Sequence, residues 1–279
     1  MLLRQIALVS QTRKISASGL SRVGAALQKQ TMRDLAPTWE IKATVDTFGR
    51  LSDVPVGYWP IIITEKDLGD AAGVHEDRQG QPFALVRYSY GWSLTASHEC
   101  LEMLVDPFGN RIMAGQSLMK NQGRVEYLVE VCDPSEADAF AYRVNGILVS
   151  DFYTADFFAP EAVAGGRYSF TRAIKAPRQV LKGGYISWHD PVSDHWFQQI
   201  FFGSKPQFRD LGRLTAKPNE NLRALLYHHT PERIAAKKTE FKAALTRTSR
   251  SSMEAHEKAA DAKAKALQDR IAEVIKEYA

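Results

Sequence analysis

Cysteine is scarce in this sequence, with two in 279 residues. Cys100 and Cys132 can form at most one bridge and fit no zinc-ribbon or dithiol redox spacing, so a disulfide framework is excluded. No stretch approaches the roughly 20 apolar residues of a membrane-spanning helix, and no membrane partner is expected. The formal net charge of +4 is too small to argue for nucleic acid. Gly69, Gly73 and Gly80 have no phosphate-loop spacing, and there is no serine-centred nucleophile elbow. The opening MLLRQIALVSQTRK lacks a charged n-region and a long apolar segment with a small-residue cleavage site, which points to a cytoplasmic protein. What is there is ordinary globular material, 44% hydrophobic and 24% charged. That composition excludes collagen-like and wholly disordered classes, and the length suffices for a sizeable core with or without an appendage.

The residues divide unevenly. From 231 to 279 there is no glycine, no proline after the first position, and a high share of alanine and other strong helix formers. Leu267, Ile271, Val274, Ile275 and Tyr278 recur at three- and four-residue spacing. Serines near 249–252 suggest a break, with Ser252 as an N-cap. The expectation is a helical tail, one helix or a hairpin, that packs on the body or mediates self-association or contact with a protein partner. Most of the small positive excess lies here.

Residues 1–230 read as an α+β body. RQIALVS, WEIKATVDTF, YWPIIITEKD and PFALVRYSY are apolar or alternating runs typical of strands. A helical period from Ser16 to about Leu35 is expected to stop at Pro37. DLGDAAGVHEDRQGQ reads as a turn-rich connection. WSLTASHECLEMLVDP favours a helix ending at Pro107. The second half, with VEYLVEVCD, YRVNGILVSDF, GGYISWHD and HWFQQIFF, reads as short strands and hairpins, with Asn145-Gly146 as a turn. Gly183-Gly184 suggests a tight turn or a close backbone approach.

One stretch carries specific chemistry. His98-Glu99-Cys100-Leu101-Glu102 spells H-E-x-x-E on the expected helix, and positions 98 and 102 lie one turn apart on one face. Zinc accepts imidazole nitrogen and carboxylate oxygen, so both side chains can reach one ion. Glu99, offset by about 100°, is suited to hold a water and act as general base. The alternative is a helix with surface carboxylates in which His98 bonds Glu102 as an i, i+4 pair. A third metal ligand must come from elsewhere; Asp106, Glu126, Glu130, Asp133, His189 and His195 are the candidates. Asp106 equally suits a structural role in its Asp-Pro turn. Glu130 is favoured because an acid inside VEYLVEVCD is costly to bury without a partner. Asp133 is the alternative ligand or a supporting group. Tyr185, His189, Tyr168 and His195 are the donors available for an oxyanion. The acid-rich loop from Asp133 to Asp138 would suit a separate calcium-like ion. Cys100 is expected to face the core, and the aromatics of HWFQQIFF (Trp196, Phe197, Phe201 and Phe202) to lie in the core or at an interface.

The blocks SHECLEMLVDPFGN, VEVCDPSEAD and YRVNGILVSDF, in that order, resemble a loosely defined group of uncharacterised bacterial zinc peptidases of zincin type with an H-E-x-x-E motif. The plant phosphate-induced, Exordium-like proteins are more distantly similar. The resemblance spans approximately residues 27–188. It implies a zincin-like mixed sheet, a β-rich second half, zinc held by His98 and Glu102 with Glu130 at or near it, Glu99 as base, and a peptide or protein substrate. Val105 and Phe108 stand where a metzincin extension would place further motif residues, which excludes that subgroup.

Overall fold

The computed structural model describes residues 3–69, 71–218, 220–230 and 265. The expected helical tail falls, apart from Lys265, outside the described residues. The chain begins β1 (Leu3–Ser10), α1 (Ala17–Lys29), α2 (Ala36–Trp39), β2 (Lys42–Phe48), β3 (Trp59–Thr64), β4 (Gly73–Arg78), β5 (Gln81–Arg87) and α3 (Trp92–Val105). The five strands form one sheet in the order β2-β1-β3-β5-β4. All its pairings are parallel except that of β4 with β5, which is antiparallel at the edge. Parallel neighbours need a crossover connection, and α1 supplies the one between β1 and β2.

Strand alternation fixes which face is covered. Ile6 and Leu8, Ala43 and Val45, Ile61 and Ile63, and Ala84 and Val86 are alternate residues of their strands, and all join the main core. Leu20, Val23 and Leu27 of α1 and Ala96, Cys100, Leu101 and Leu104 of α3 complete that core. Ser16 caps α1 by accepting a hydrogen bond from the Gly19 N–H at 3.1 Å. Pro37 does not stop the helical path as expected. A π-helical turn over Gln30–Leu35 intervenes, and Pro37 sits in the first turn of α2, where a missing N–H costs nothing.

The second half continues with β6 (Ile112–Gln116), β7 (Arg124–Leu128), β8 (Tyr142–Val144), β9 (Ile147–Val149), β10 (Tyr185–Asp190), β11 (His195–Ile200), β12 (Gln207–Gly212) and α4 (Leu222–Tyr227). It forms a fully antiparallel sheet, β12-β11-β10-β7-β6, and a separate β8-β9 hairpin turned at Asn145-Gly146. Tyr127, Ile186, Trp188 and Phe197 of the second sheet belong to the same core as the first, so one continuous interior runs through the body. Of the HWFQQIFF aromatics, Trp196 and Phe197 are buried, while Phe201 and Phe202 are only half-buried. No helix among the described residues is long and apolar enough to cross a membrane.

Two local readings need correction. The segment read as a turn-rich connection contains β4, whose buried residues include Gly73 and His75. The strand expected through VEYLVEVCD ends at Leu128. Glu130 and Asp133 therefore lie beyond it, in an irregular segment freed from strict alternation.

Candidate metal centre

Eleven of the fourteen residues of α3 are buried, including Ser97, His98, Glu99 and Glu102. His98 is 5% exposed, Glu99 2% and Glu102 0%. Surface carboxylates, the alternative reading of this helix, are thus ruled out by position. Burying such groups is costly unless each meets a charge or a hydrogen bond, so their surroundings decide what they do.

His98 Nε2 stands 3.2 Å from Glu102 Oε1 and 3.2 Å from Asp133 Oδ1, without the alignment of a hydrogen bond to either. Four-coordinate zinc with bonds of about 2.0–2.1 Å sets ligands roughly 3.3–3.4 Å apart. The two contacts are close to that edge length. Glu102 Oε1 also accepts from the Cys132 N–H at 3.3 Å, which orients the carboxylate. Three groups of ligand atoms overlap here, each within 4.8 Å: His98, Glu102 and Cys132; His98, Asp133 and Glu136; Glu102, Glu130 and Asp133. A buried imidazole nitrogen aimed at carboxylates is a donor set that fits a divalent cation.

A second set of contacts lies on the other side of Glu102. His75 Nδ1 is 3.5 Å from Glu99 Oε2 and 3.7 Å from Glu102 Oε2. Arg223, from α4, places Nη2 3.4 Å from Glu99 Oε2 and 3.5 Å from Glu102 Oε2, and Nε 3.3 Å from Glu130 Oε1. Its Nη1 donates to the His75 carbonyl at 3.1 Å. Neither His75 nor Arg223 was expected at the site. His75 sits on the strand that read as turns. Arg223 comes from a six-residue helix more than 120 positions after Glu99, and the one local signal was Asn221 as its N-cap.

The expected site residues therefore separate. His98, Glu99, Glu102, Glu130 and Asp133 come together. Asp133 takes the place beside His98 that was favoured for Glu130, while Glu130 pairs with Arg223. Asp106 is not positioned as a ligand. Its carboxylate accepts from Asn110 N at 3.1 Å and Arg111 N at 2.9 Å, closing the turn after α3. His189 is occupied on the second sheet by Glu126 at 3.2 Å and Asp194 at 3.1 Å, and His195 by Asp210 at 3.1 Å. Tyr185 is buried at the start of β10, where its phenol influences the Arg223 guanidinium. Tyr168 bonds the loop at Val163. The loop expected to hold a separate calcium-like ion turns Asp133 and Glu136 inward, toward His98, so these acids belong to the same cluster.

Charge and burial set the protonation states. Burial alone would lower the His98 pKa, but the Glu102 and Asp133 carboxylates outweigh it and raise it to about 10. Without metal the ring is an imidazolium, and a metal must displace its proton. Burial works against ionised Glu99, yet its contact with His75 and the charge of Arg223 hold it well below the usual carboxylate range. The Tyr153 hydroxyl, buried and without a hydrogen bond, is pushed far up by burial and then by Glu130, Glu102 and Asp133. It stays an O–H donor facing the acids, a residue the sequence reading passed over. Burial raises the Cys100 thiol to about 12, in keeping with a core residue rather than a nucleophile.

Two glycines let these elements close. A Cβ on Gly73 would lie 2.6 Å from Thr95 Cγ2 and 2.8 Å from Glu99 Oε1, so β4 approaches α3 only with glycine there. A Cβ on Gly184 would lie 2.5 Å from the Asp133 carbonyl oxygen and 2.6 Å from that of Pro134. The close approach expected for the glycine pair is thus located against the segment that carries Asp133. Gly184→Ala must push that backbone away, at a cost of about 1–3 kcal/mol. Its urea midpoint is expected to fall and its metal affinity to drop with it; an unchanged midpoint would show that the segment yields freely. No known protein family, curated protein or solved structure matches this chain.

Proposed function

We propose that this protein is a metal-dependent hydrolase of zincin type, a zinc peptidase, with His98, Glu102 and Asp133 as ligands and Glu99 as general base. The observation that carries the reading is His98 Nε2, buried and turned to Glu102 and Asp133 at 3.2 Å each. A mixed sheet followed directly by the H-E-x-x-E helix agrees with what the zincin resemblance implies.

A bound zinc ion supplies Lewis acidity, polarising a carbonyl and acidifying a water. Glu99 adjoins His98 on α3 and is held as a carboxylate, the state from which a base takes a proton and returns it to a leaving amine. Tyr153 keeps its proton and offers an O–H to a developing oxyanion. Glu130 and Arg223 form an ion pair that holds the guanidinium against Glu99.

The test is metal analysis and peptide-library digestion of the untagged chain. About one zinc per chain is expected, lost in His98→Ala and Glu102→Ala and kept in Glu99→Gln. Cleavage by Glu99→Gln should fall by about 100-fold or more. Cleavage indifferent to that substitution would remove Glu99 as base, and no zinc under any condition would sink the proposal. A second reading, a non-catalytic binding or structural protein, is favoured by one feature: Arg223 already neutralises part of the cluster. Metal binding without any cleavage would support it.

A further inference from the structure

We propose that His75, Glu99 and Glu102 form a second cation site beside the first, and that Arg223 is its resident cation, holding the centre to one metal. This deepens the metal-centre reading above and rests on it.

The argument starts from His75, buried on β4. Its Nε2 lies 3.1 Å from the Asp106 carbonyl oxygen. A carbonyl only accepts, so Nε2 carries a proton, and Nδ1 is the nitrogen left to meet the acids. Nδ1 makes no hydrogen bond and points at two carboxylate oxygens, Glu99 Oε2 at 3.5 Å and Glu102 Oε2 at 3.7 Å. A histidine fixed through one nitrogen by a backbone carbonyl, with the other aimed at acids, has the arrangement of a metal ligand. The separations exceed the roughly 3.3–3.4 Å edge of tetrahedral zinc by a few tenths of an ångström. A first-row divalent ion such as zinc or manganese is the class that suits one imidazole and two carboxylates.

The same two oxygens are met by Arg223 Nη2, at 3.4 and 3.5 Å. The guanidinium therefore stands where a second ion would draw its ligands. It cannot lose its charge; its Nη1 is anchored on the His75 carbonyl, and the Arg223 backbone N–H donates to the Gly109 carbonyl at 3.0 Å. A metal at this place would coordinate Glu99. Arg223 supplies the positive charge there without doing so, which leaves Glu99 uncoordinated.

The experiment counts metal in the full-length untagged chain after equilibrium dialysis against zinc, and separately manganese. The wild type should hold about one ion, and Arg223→Gln and Arg223→Met about two. Adding His75→Asn to either variant should return the count to about one, and adding His98→Ala instead should remove the first ion and leave the second. Arg223→Gln keeps an amide donor for Glu99 and serves if Arg223→Met does not fold. A wild type with one ion and Arg223 variants with no more than one overturns this proposal alone. No metal in any chain overturns it together with the reading it rests on.

Discussion

Zinc added to the metal-free chain is expected to raise its melting temperature by about 8–16 °C. The size follows from linkage: a ligand at 1,000 times its dissociation constant stabilises by about 4.1 kcal/mol. For a body of this size each kcal/mol is worth roughly 2–4 °C. The effect is large because the metal-free cluster is strained by its own charge. Glu99, Glu102, Glu130, Asp133 and Glu136 converge in the interior, and His98 must hold a proton to sit among them. Metal replaces that proton with a higher charge on the same lone pair. Differential scanning fluorimetry with and without zinc reads the shift, a chelator should reverse it, and His98→Ala should abolish it. A melting temperature unmoved by zinc, manganese or cobalt would remove the metal centre.

Replacing Arg223 by methionine in the metal-free chain should cost about 3–5 kcal/mol, a loss of roughly 6–20 °C in melting temperature. The substitution leaves Glu99, Glu102 and Glu130 without the guanidinium that each faces at 3.3–3.5 Å. A buried ion pair adds little over a well-packed apolar isostere, but removing one partner strands the other charge. Urea denaturation of the two chains in the presence of chelator measures the difference. A loss under about 1 kcal/mol would mean that the acids are not ionised together and that Arg223 is not their counter-charge.

The helix of the site was legible because its signal is local. One-turn spacing puts His98 and Glu102 on a common face in any helix, and the period of WSLTASHECLEMLV made the helix itself evident. The strands of the first sheet were legible from apolar runs, except β4. That strand lies at the edge and carries Glu76, Asp77 and Arg78 on a half-exposed surface, so its composition resembles a loop. His75 was lost with it. The surroundings of Glu130 and Asp133 were hidden for a related reason. VEYLVEVCD alternates like a strand throughout, but the chain leaves the sheet at Leu128, and the direction of Glu130 and Asp133 then follows from packing. Arg223 had no signal beyond the Asn221 cap of its short helix. Its role is set by contacts across more than a hundred residues, and no periodicity encodes those.

Glu102 bears on what the motif means. Its two oxygens face different partners: Oε1 meets His98 and the Cys132 N–H, while Oε2 meets His75 and Arg223. An imidazole in that position would present a single lone pair and serve only one of these neighbourhoods. The carboxylate is a two-sided hinge between them, so a change in charge on one side reaches the other through a single rigid group. Glu102→His would rebuild the familiar zinc helix, yet it would cut that connection and leave Arg223 one acceptor short.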